Sequence, residues 1–352
     1  MKVTKTVKAR VYKPTYCKED ALQRMTEEWR QALKMHRNDA DYDDIREETD
    51  LPSACVSNIN YNEYEGDQPL TISKESINVW QKNNEISDLF LELYTGKERI
   101  WLPIQIWDGH KQYLLNDKFN ILNSEIMQKN GTFYIHFVVQ TDMNIDEPEN
   151  VLGIDIGDKH LATSVALHSD GTVEDVNFHG DDIRGVRRHY AWLKKRLQHK
   201  GSYRTLKQVS DKEHRRVDDI CHNVAKDIVE QAEQHNAVIV MENLTGLHGD
   251  TEKGSRMNRI VNEMPHHKLR RYITYKAHWK GIPVIESDPS YTSQTCHTCG
   301  QIGKRQSGLF TCPHCSTEYN ADANASINIA EGFRNQWLQN GAVQPSAQNA
   351  TA

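Results

Sequence analysis

Apolar and polar residues alternate at the start of the chain. Val3, Val7, Ala9 and Val11 fall on one face and Thr4, Thr6, Lys8 and Arg10 on the other. That period of two predicts a half-buried strand, ended by Pro14. Leu22, Met25, Trp29 and Leu33 then recur at helical spacing, which predicts a helix over about 18–36. Residues 39–50 carry seven acids and one base, Arg46, and read as a mobile or solvated connector. From about 70 to 141 the pattern is strand-like again, in KERIWLPIQIW and in ILNSEIMQK joined through Asn130-Gly131 to TFYIHFVVQT. Asn-Gly between apolar runs is a hairpin signal, so this block is expected to be a small β-barrel or sheet. NIDEPEN, with Pro148, marks a domain boundary.

Beyond it strands alternate with helices, the pattern of an α/β domain. VLGIDIG and HLATSVAL read as adjacent strands and VEDVNFHG as a third. Val217, Ile220, Cys221, Val224 and Ile228 form one apolar helical stripe leading into AVIVMENL, a run apolar enough for a strand buried on both faces. Leu269, Ile273 and Ala277 predict another helix before the strand IPVIESDP, and DANASINIAEGF predicts a closing helix. The tail from about Gln336 has no apolar period and is expected to be disordered.

With 352 residues, 37% hydrophobic and 26% charged, the chain is long enough for two or three domains with real cores, which excludes a fibre or a long disordered chain. The apolar runs are strand-sized and the first residues lack the apolar stretch of a signal peptide, so no membrane partner and a cytoplasmic location are expected. The net charge of −6 argues against a simple polyanion-coating protein, yet the charge is unevenly spread: −8 up to Asn150 and +2 beyond it. Residues 184–216 hold twelve Lys or Arg against Asp211 and Glu213. Arg187, Arg188, Lys194, Lys195, Arg196, Lys200, Arg204 and Lys207, with Tyr190, Trp192 and Tyr203 among them, are candidates for a surface that tracks phosphates. A solvated helix face is the competing explanation.

Four of the seven cysteines occupy twenty residues, as CHTC from Cys296 to Cys299 and CPHC from Cys312 to Cys315. Two such knuckles can close four thiolates on one structural Zn2+, with a short hairpin between them and Gly300 permitting the tight turn. A redox dithiol or a pair of disulfides is the alternative. His297 and His314 are further potential ligands, although four cysteines already fill the shell.

Three carboxylates stand out. Asp155 lies in GIDIG, mid-strand among apolar residues, where an aspartate is costly unless it is paired, binds a cation or is satisfied by backbone amides near Gly157. Glu242 follows VIVM at the C-terminal end of a predicted central strand, where open α/β sheets place their sites. Asp322, in NADANA, opens the last helix and is equally explicable as a capping acid. Together the three could converge on two hard divalent cations about 3.5–4 Å apart, the arrangement that activates water and stabilises the leaving oxygen of a phosphodiester.

The order GIDIG, MENLTGL, YTSQTCHTCG, CPHC and DANASINI resembles the C-terminal half of the TnpB family, the OrfB-type proteins of insertion sequences, which are related to compact type V CRISPR effectors. The resemblance spans about 152–330 and is looser before Asn150. It implies an α/β fold class: a RuvC-like, RNase H-fold nuclease core at 148–290 and 318–335, with an inserted zinc ribbon at 291–317. It also implies a β-barrel-like wedge domain at 1–15 and 69–147, a helical recognition insertion at 16–68 and a disordered tail at 336–352. Asp155, Glu242 and Asp322 would then be the catalytic, metal-binding acids for two Mg2+ or Mn2+ ions, and Cys296, Cys299, Cys312 and Cys315 the ligands of one structural Zn2+. By the same resemblance the chain is similar to RNA-guided DNA endonucleases of prokaryotic transposons. Their partners are a guide RNA from the transposon end, a double-stranded DNA target and a companion transposase encoded nearby, and they are nucleoid-associated when bound to DNA. Base pairing would supply sequence specificity. A guide-dependent DNA-binding repressor would be expected to have lost an acid. An unguided RuvC-like nuclease would not need the ribbon and the wedge-like half, and nothing beyond the acids suggests strand transfer by the chain itself.

Overall fold

The computed structural model describes residues 1–59, 68–82, 85–145, 147–157, 159–242, 265–287 and 292–340. Asn243 to Leu247 of MENLTGL, Asp288 to Tyr291, residues 60–67 of the expected recognition insertion and the tail beyond Asn340 lie outside them. The chain is mixed α/β and divides into two compact units, 2–142 and 143 onward, with Met1 joining the second.

In the first unit β1 (Lys2–Val11), β2 (Leu70–Ile72), β3 (Ile77–Gln81), β4 (Leu89–Tyr94), β5 (Arg99–Gln105), β6 (Asn120–Ile121), β7 (Ser124–Lys129) and β8 (Thr132–Asp142) form one antiparallel sheet. Its order is β2-β7-β8-β1-β5-β4-β3, with β6 also on β8. The period of two holds: Val3, Val7, Ala9 and Val11 are buried, and so are Phe133, Ile135, Phe137 and Val139 of β8. Asn130 (φ 52°) and Gly131 (φ 75°) turn β7 into β8, as the dipeptide demands. No pairing joins β2 to β3 among the described residues, so of the barrel or sheet that the pattern predicts the hydrogen bonding describes a sheet.

Helix α1 (Tyr16–Arg37) buries Leu22, Met25, Trp29 and Leu33. The acidic stretch after it is not a connector. It forms α2 (Tyr42–Glu48), because Asp41 and Asp44 cap it reciprocally and Ile45 supplies a buried anchor. Acids in a first turn also suit the helix dipole, so their density favours this helix. A short α3 (Ser53–Val56) and α4 (Asp108–Leu115) complete the unit.

The second unit is a five-stranded sheet covered on both faces. Strands β9 (Asn150–Asp155), β10 (Ala162–Leu167) and β11 (Val173–His179) run antiparallel, while β12 (Ala237–Glu242) and β13 (Val284–Ser287) lie parallel to β9, in the order β11-β10-β9-β12-β13. Leu152, Ile154 and Met241 pack against Val217, Val224 and Ile228 of α6 (Tyr203–Gln234) and Leu269 and Ile273 of α7 (His266–His278). Val151, Val238 and Val240 point the other way, onto Ile329, Ala330 and Phe333 of the closing helix α8 (Ala321–Asn340). Double coverage explains the unbroken apolar run of β12. Helix α8 extends to Asn340, so Gln336 onward does not begin a disordered tail; Trp337 packs near Phe333, their ring centroids 6.0 Å apart.

The helix approaches the sheet closely at one point. A Cβ at Gly153 would stand 2.2 Å from Ser326 O and 2.9 Å from Ala330. Gly153→Val is therefore expected to destabilise the second unit by about 1–3 kcal/mol. Urea unfolding would check this, and an unchanged midpoint would contradict the close packing.

Candidate nuclease site

The alternation of β9 and β12 decides where their last side chains point. Ile154 and Met241 face α6 and α7, so their successors Asp155 and Glu242 face α8, as Gly153 and Val240 do. Met241 pairs with Ile154, so the two strands end at one level, about 4.8 Å apart. Asp155 thus terminates its strand and is not mid-strand. The Gly157 amide is bonded to Leu161 O and does not satisfy it.

Asp322 arrives from α8. It stands one turn before Ser326, the residue over Gly153, and four helical residues rise about 6 Å, close to the two-residue step from Gly153 to Asp155. Ser326 Oγ fixes that placement by donating to Thr163 O, opposite Asp155 in the β9–β10 pairing. Asp322 is not the helix cap: Asn320 Oδ1 accepts from the amides of Asp322 and Ala323 at 2.9 and 3.1 Å. The acid is thereby free for other work, although 5% exposed.

The three carboxylates share one electrostatic environment. Asp155 is pushed up to about 7, chiefly by burial, then by the charges of Glu242 and Asp322, with Arg305 opposing. Part of its surface is still open to solvent. Glu242 is also raised, by burial, against a hydrogen bond from the Thr292 hydroxyl. The acids do not form a tight triad: among the described residues, the sets of ligand atoms all within 4.8 Å of one another are the four cysteines and a separate His168, Glu174 and His235 group.

Arg305, which the sequence did not single out, pairs with Asp322. It lies on β14 (Lys304–Gln306), which with β15 (Leu309–Thr311) and β16 (Glu318–Asn320) makes a third small sheet. Ser307 and Gly308, both at positive φ, turn β14 into β15. An arginine from one element meeting an acid from another is a relation no linear motif encodes.

That small sheet carries the cysteines. Cys296 and Cys315 Sγ are 3.6 Å apart and Cys299 and Cys312 Sγ 3.5 Å. A tetrahedron with Zn–S bonds of about 2.3 Å has edges of roughly 3.8 Å, so the donors fit one zinc. The two knuckles match in detail. The amides of Gly300 and Ser316 bond back to Cys296 O and Cys312 O, both in the left-handed region. The second knuckle manages with Ser316 what the first does with Gly300. The Thr317 hydroxyl, 3.0 Å from Cys315 Sγ, holds that thiol down at about 6. His297 is engaged elsewhere: its amide and Nδ1 meet Asn324 Oδ1 of α8 at 3.1 and 2.9 Å.

The basic stretch forms α5 (Ile183–His199) and the start of α6. Arg188, Lys195, Arg196, Lys200, Arg204 and Lys207 are exposed, with Arg187 and Lys194 half-buried. Arg196 lies over the Trp192 ring at 4.7 Å, and Lys194 is committed to Glu213 at 2.6 Å. The first unit has a basic feature that charge counting hid. Lys8, Arg10, Lys111, Trp107 and Tyr134 line a cavity of about 490 Å3 together with Asp88, which pairs with Lys111, so Lys8 and Arg10 carry its net positive charge.

Residues 266–329 match the family "Cas12f1-like, TNB domain". The chain is 26% identical to a TnpB-like protein of Methanocaldococcus jannaschii over 65% of its own length and 85% of that protein. It is 28% identical to the CRISPR-associated endodeoxyribonuclease Cas12f1 of Sulfoacidibacillus thermotolerans, over 76% of the chain and 69% of the relative. Among solved structures, the AacC2c1–sgRNA–extended non-target DNA ternary complex is similar in fold alone, with a TM-score of 0.53 at 8% identity over 77% of this chain and 55% of that one. In its motifs and in these relatives, the chain is similar to the TnpB-like proteins and to the compact Cas12f endodeoxyribonucleases.

Proposed function

We propose that the chain is an RNA-guided, divalent-metal-dependent DNA endonuclease with a RuvC-like, RNase H-fold core. The observation that carries this is the convergence of Asp155, Glu242 and Asp322 from two strand ends and a helix start onto one side of the sheet, close enough to raise the proton affinity of Asp155. Three carboxylates that a single arginine compensates only in part fit hard divalent cations such as Mg2+ or Mn2+. Asp155, Glu242 and Asp322 would hold them, and a bound pair would supply Lewis-acid activation of water and neutralise charge at the phosphodiester. Thr292 orients Glu242, and Arg305 offers a cation beside Asp322 for a phosphate oxygen. The cysteines would hold one structural Zn2+ in a ribbon inserted in the core.

The relative from Sulfoacidibacillus is named an endodeoxyribonuclease, and the neighbour of similar fold holds an sgRNA and DNA. We assign the same partners here: a guide RNA from the transposon end and a double-stranded DNA target. The sheet of 2–142 would serve as the wedge and its helices as the recognition insertion. The exposed cations of α5 and α6 and the cavity beside Trp107 would meet phosphates. Among the described residues no helix is long and apolar enough to cross a membrane. The full set of acids favours a cutting enzyme over a guided repressor.

The test is to express the chain with its native flanking DNA, sequence the co-purifying RNA and challenge the complex with a matched duplex and Mg2+. One RNA with a fixed scaffold and a variable end, and cleavage only of the matched duplex, are expected. Cleavage without any enriched RNA would move the chain to the unguided nucleases.

A further inference from the structure

We propose that His168, His235 and Glu174 form a second transition-metal site, for a divalent ion of the Zn2+ class, separate from both the cysteine cluster and the three acids. One ligand atom from each residue lies within 4.8 Å of the other two. His168 Nε2 meets Glu174 Oε2 at 2.5 Å, and the two imidazoles stand edge to face with centroids 5.8 Å apart. Two imidazoles and a carboxylate are a donor set that suits zinc, nickel or cobalt better than magnesium.

The cluster is built by a deliberate irregularity in the backbone. Glu174 and Asp175 are neighbours in a strand and should face opposite sides, yet each contacts one of the two histidines; Asp175 Oδ2 lies 2.6 Å from His235 Nε2. A register shift in the β10–β11 pairing and a left-handed Asp175 (φ 48°) make this possible. A non-glycine residue keeps such a conformation only where its surroundings enforce it. Here the buried Gln231 side chain donates to Asp175 O at 2.6 Å, and Asn150 Nδ2 donates to His235 O at 2.6 Å. Asp175 therefore orients the His235 ring as carboxylates beside metal-binding imidazoles do.

The site lies at the opposite end of the sheet from the acids. His235 precedes β12 and Glu242 ends it, a span of roughly 20 Å of extended chain. An ion held there takes no part in phosphodiester chemistry. It clamps the β10–β11 hairpin to the end of α6, and so fixes the far ends of the strands that deliver Asp155 and Glu242.

Equilibrium dialysis of the full chain against buffered Zn2+, with millimolar Mg2+ present, tests this by zinc content. The native chain is expected to hold one zinc more than a His168→Ala, His235→Ala double variant. Equal zinc contents would overturn the proposal. If the double variant fails to fold, Glu174→Gln at an exposed position replaces it, with at least a tenfold weaker affinity for that one ion expected and an unchanged affinity overturning the site. Cobalt substitution separates this site from the ribbon: the cysteines give thiolate charge-transfer absorption in the near ultraviolet, whereas the histidine site adds visible bands without it.

Discussion

Replacing Asp155 by Ala is expected to slow cleavage of a matched duplex by roughly a thousandfold or more while leaving affinity for guide and target within about twofold. The argument is positional. Asp155 is the carboxylate at which the other two act: its proton affinity rises with burial and with the charges of Glu242 and Asp322, and Arg305 relieves only part of that. Its side chain faces α8 and the acid cluster, whereas the exposed cations lie on α5 and α6. Loss of cutting should therefore separate from loss of binding. The metal-free protein offers a second readout with a definite sign. Asp155 binds its proton more tightly folded, near 7, than unfolded, near 3.8. Metal-free stability should thus fall as pH rises from about 4 through about 7, and stay low above it. Asp155→Asn should flatten that slope, and Mg2+ should restore stability to the native chain above pH 7 but not to the variant. A variant that still cut the duplex would remove Asp155 from the site.

Much of this site can be read in the sequence because its acids sit at places where strand and helix grammar is strong. GIDIG and VIVME announce buried strands, and an acid at the end of either is conspicuous against its neighbours. The cysteine knuckles are legible for the same reason, since local spacing alone brings the thiolates together. Other features depend on which elements meet. Arg305 is one base among many until the ribbon folds back on α8, and Lys8, Arg10 and Lys111 are ordinary surface cations until the sheet gathers them around Trp107. Composition misleads at residues 39–50, where acid density suggests a solvated connector but reciprocal capping and one buried isoleucine make a helix. At Gln336 onward, a polar run continues a helix whose anchoring residues, Ile329, Phe333 and Trp337, all come earlier or within its first turn.

Cys312→Ser should reach the acids as well as the ribbon. Cys312 is buried with Cys296, Phe310 and Ala321, and Ala321 is the first residue of the helix that carries Asp322. The Ala321 amide is bonded to Gly308 O in the ribbon hairpin, Arg305 pairs with Asp322, and Asn324 ties α8 to Thr295 O and to His297. A structural zinc supplies about 10–16 kcal/mol to small zinc-dependent folds, more than a three-stranded sheet with one buried phenylalanine can replace. Without its fourth thiolate the ribbon should unfold, and the start of α8 should lose its cap contacts and the arginine together. We expect zinc content to fall by one ion per chain, residues 292–320 to become protease-sensitive, and cleavage to drop at least roughly a hundredfold, the scale on which small misplacements of catalytic groups act. The sheet of 2–142, a compact unit with its own core, should keep its thermal transition. Full zinc content with native cleavage in the serine variant would mean that these four thiolates neither hold a metal nor support the site.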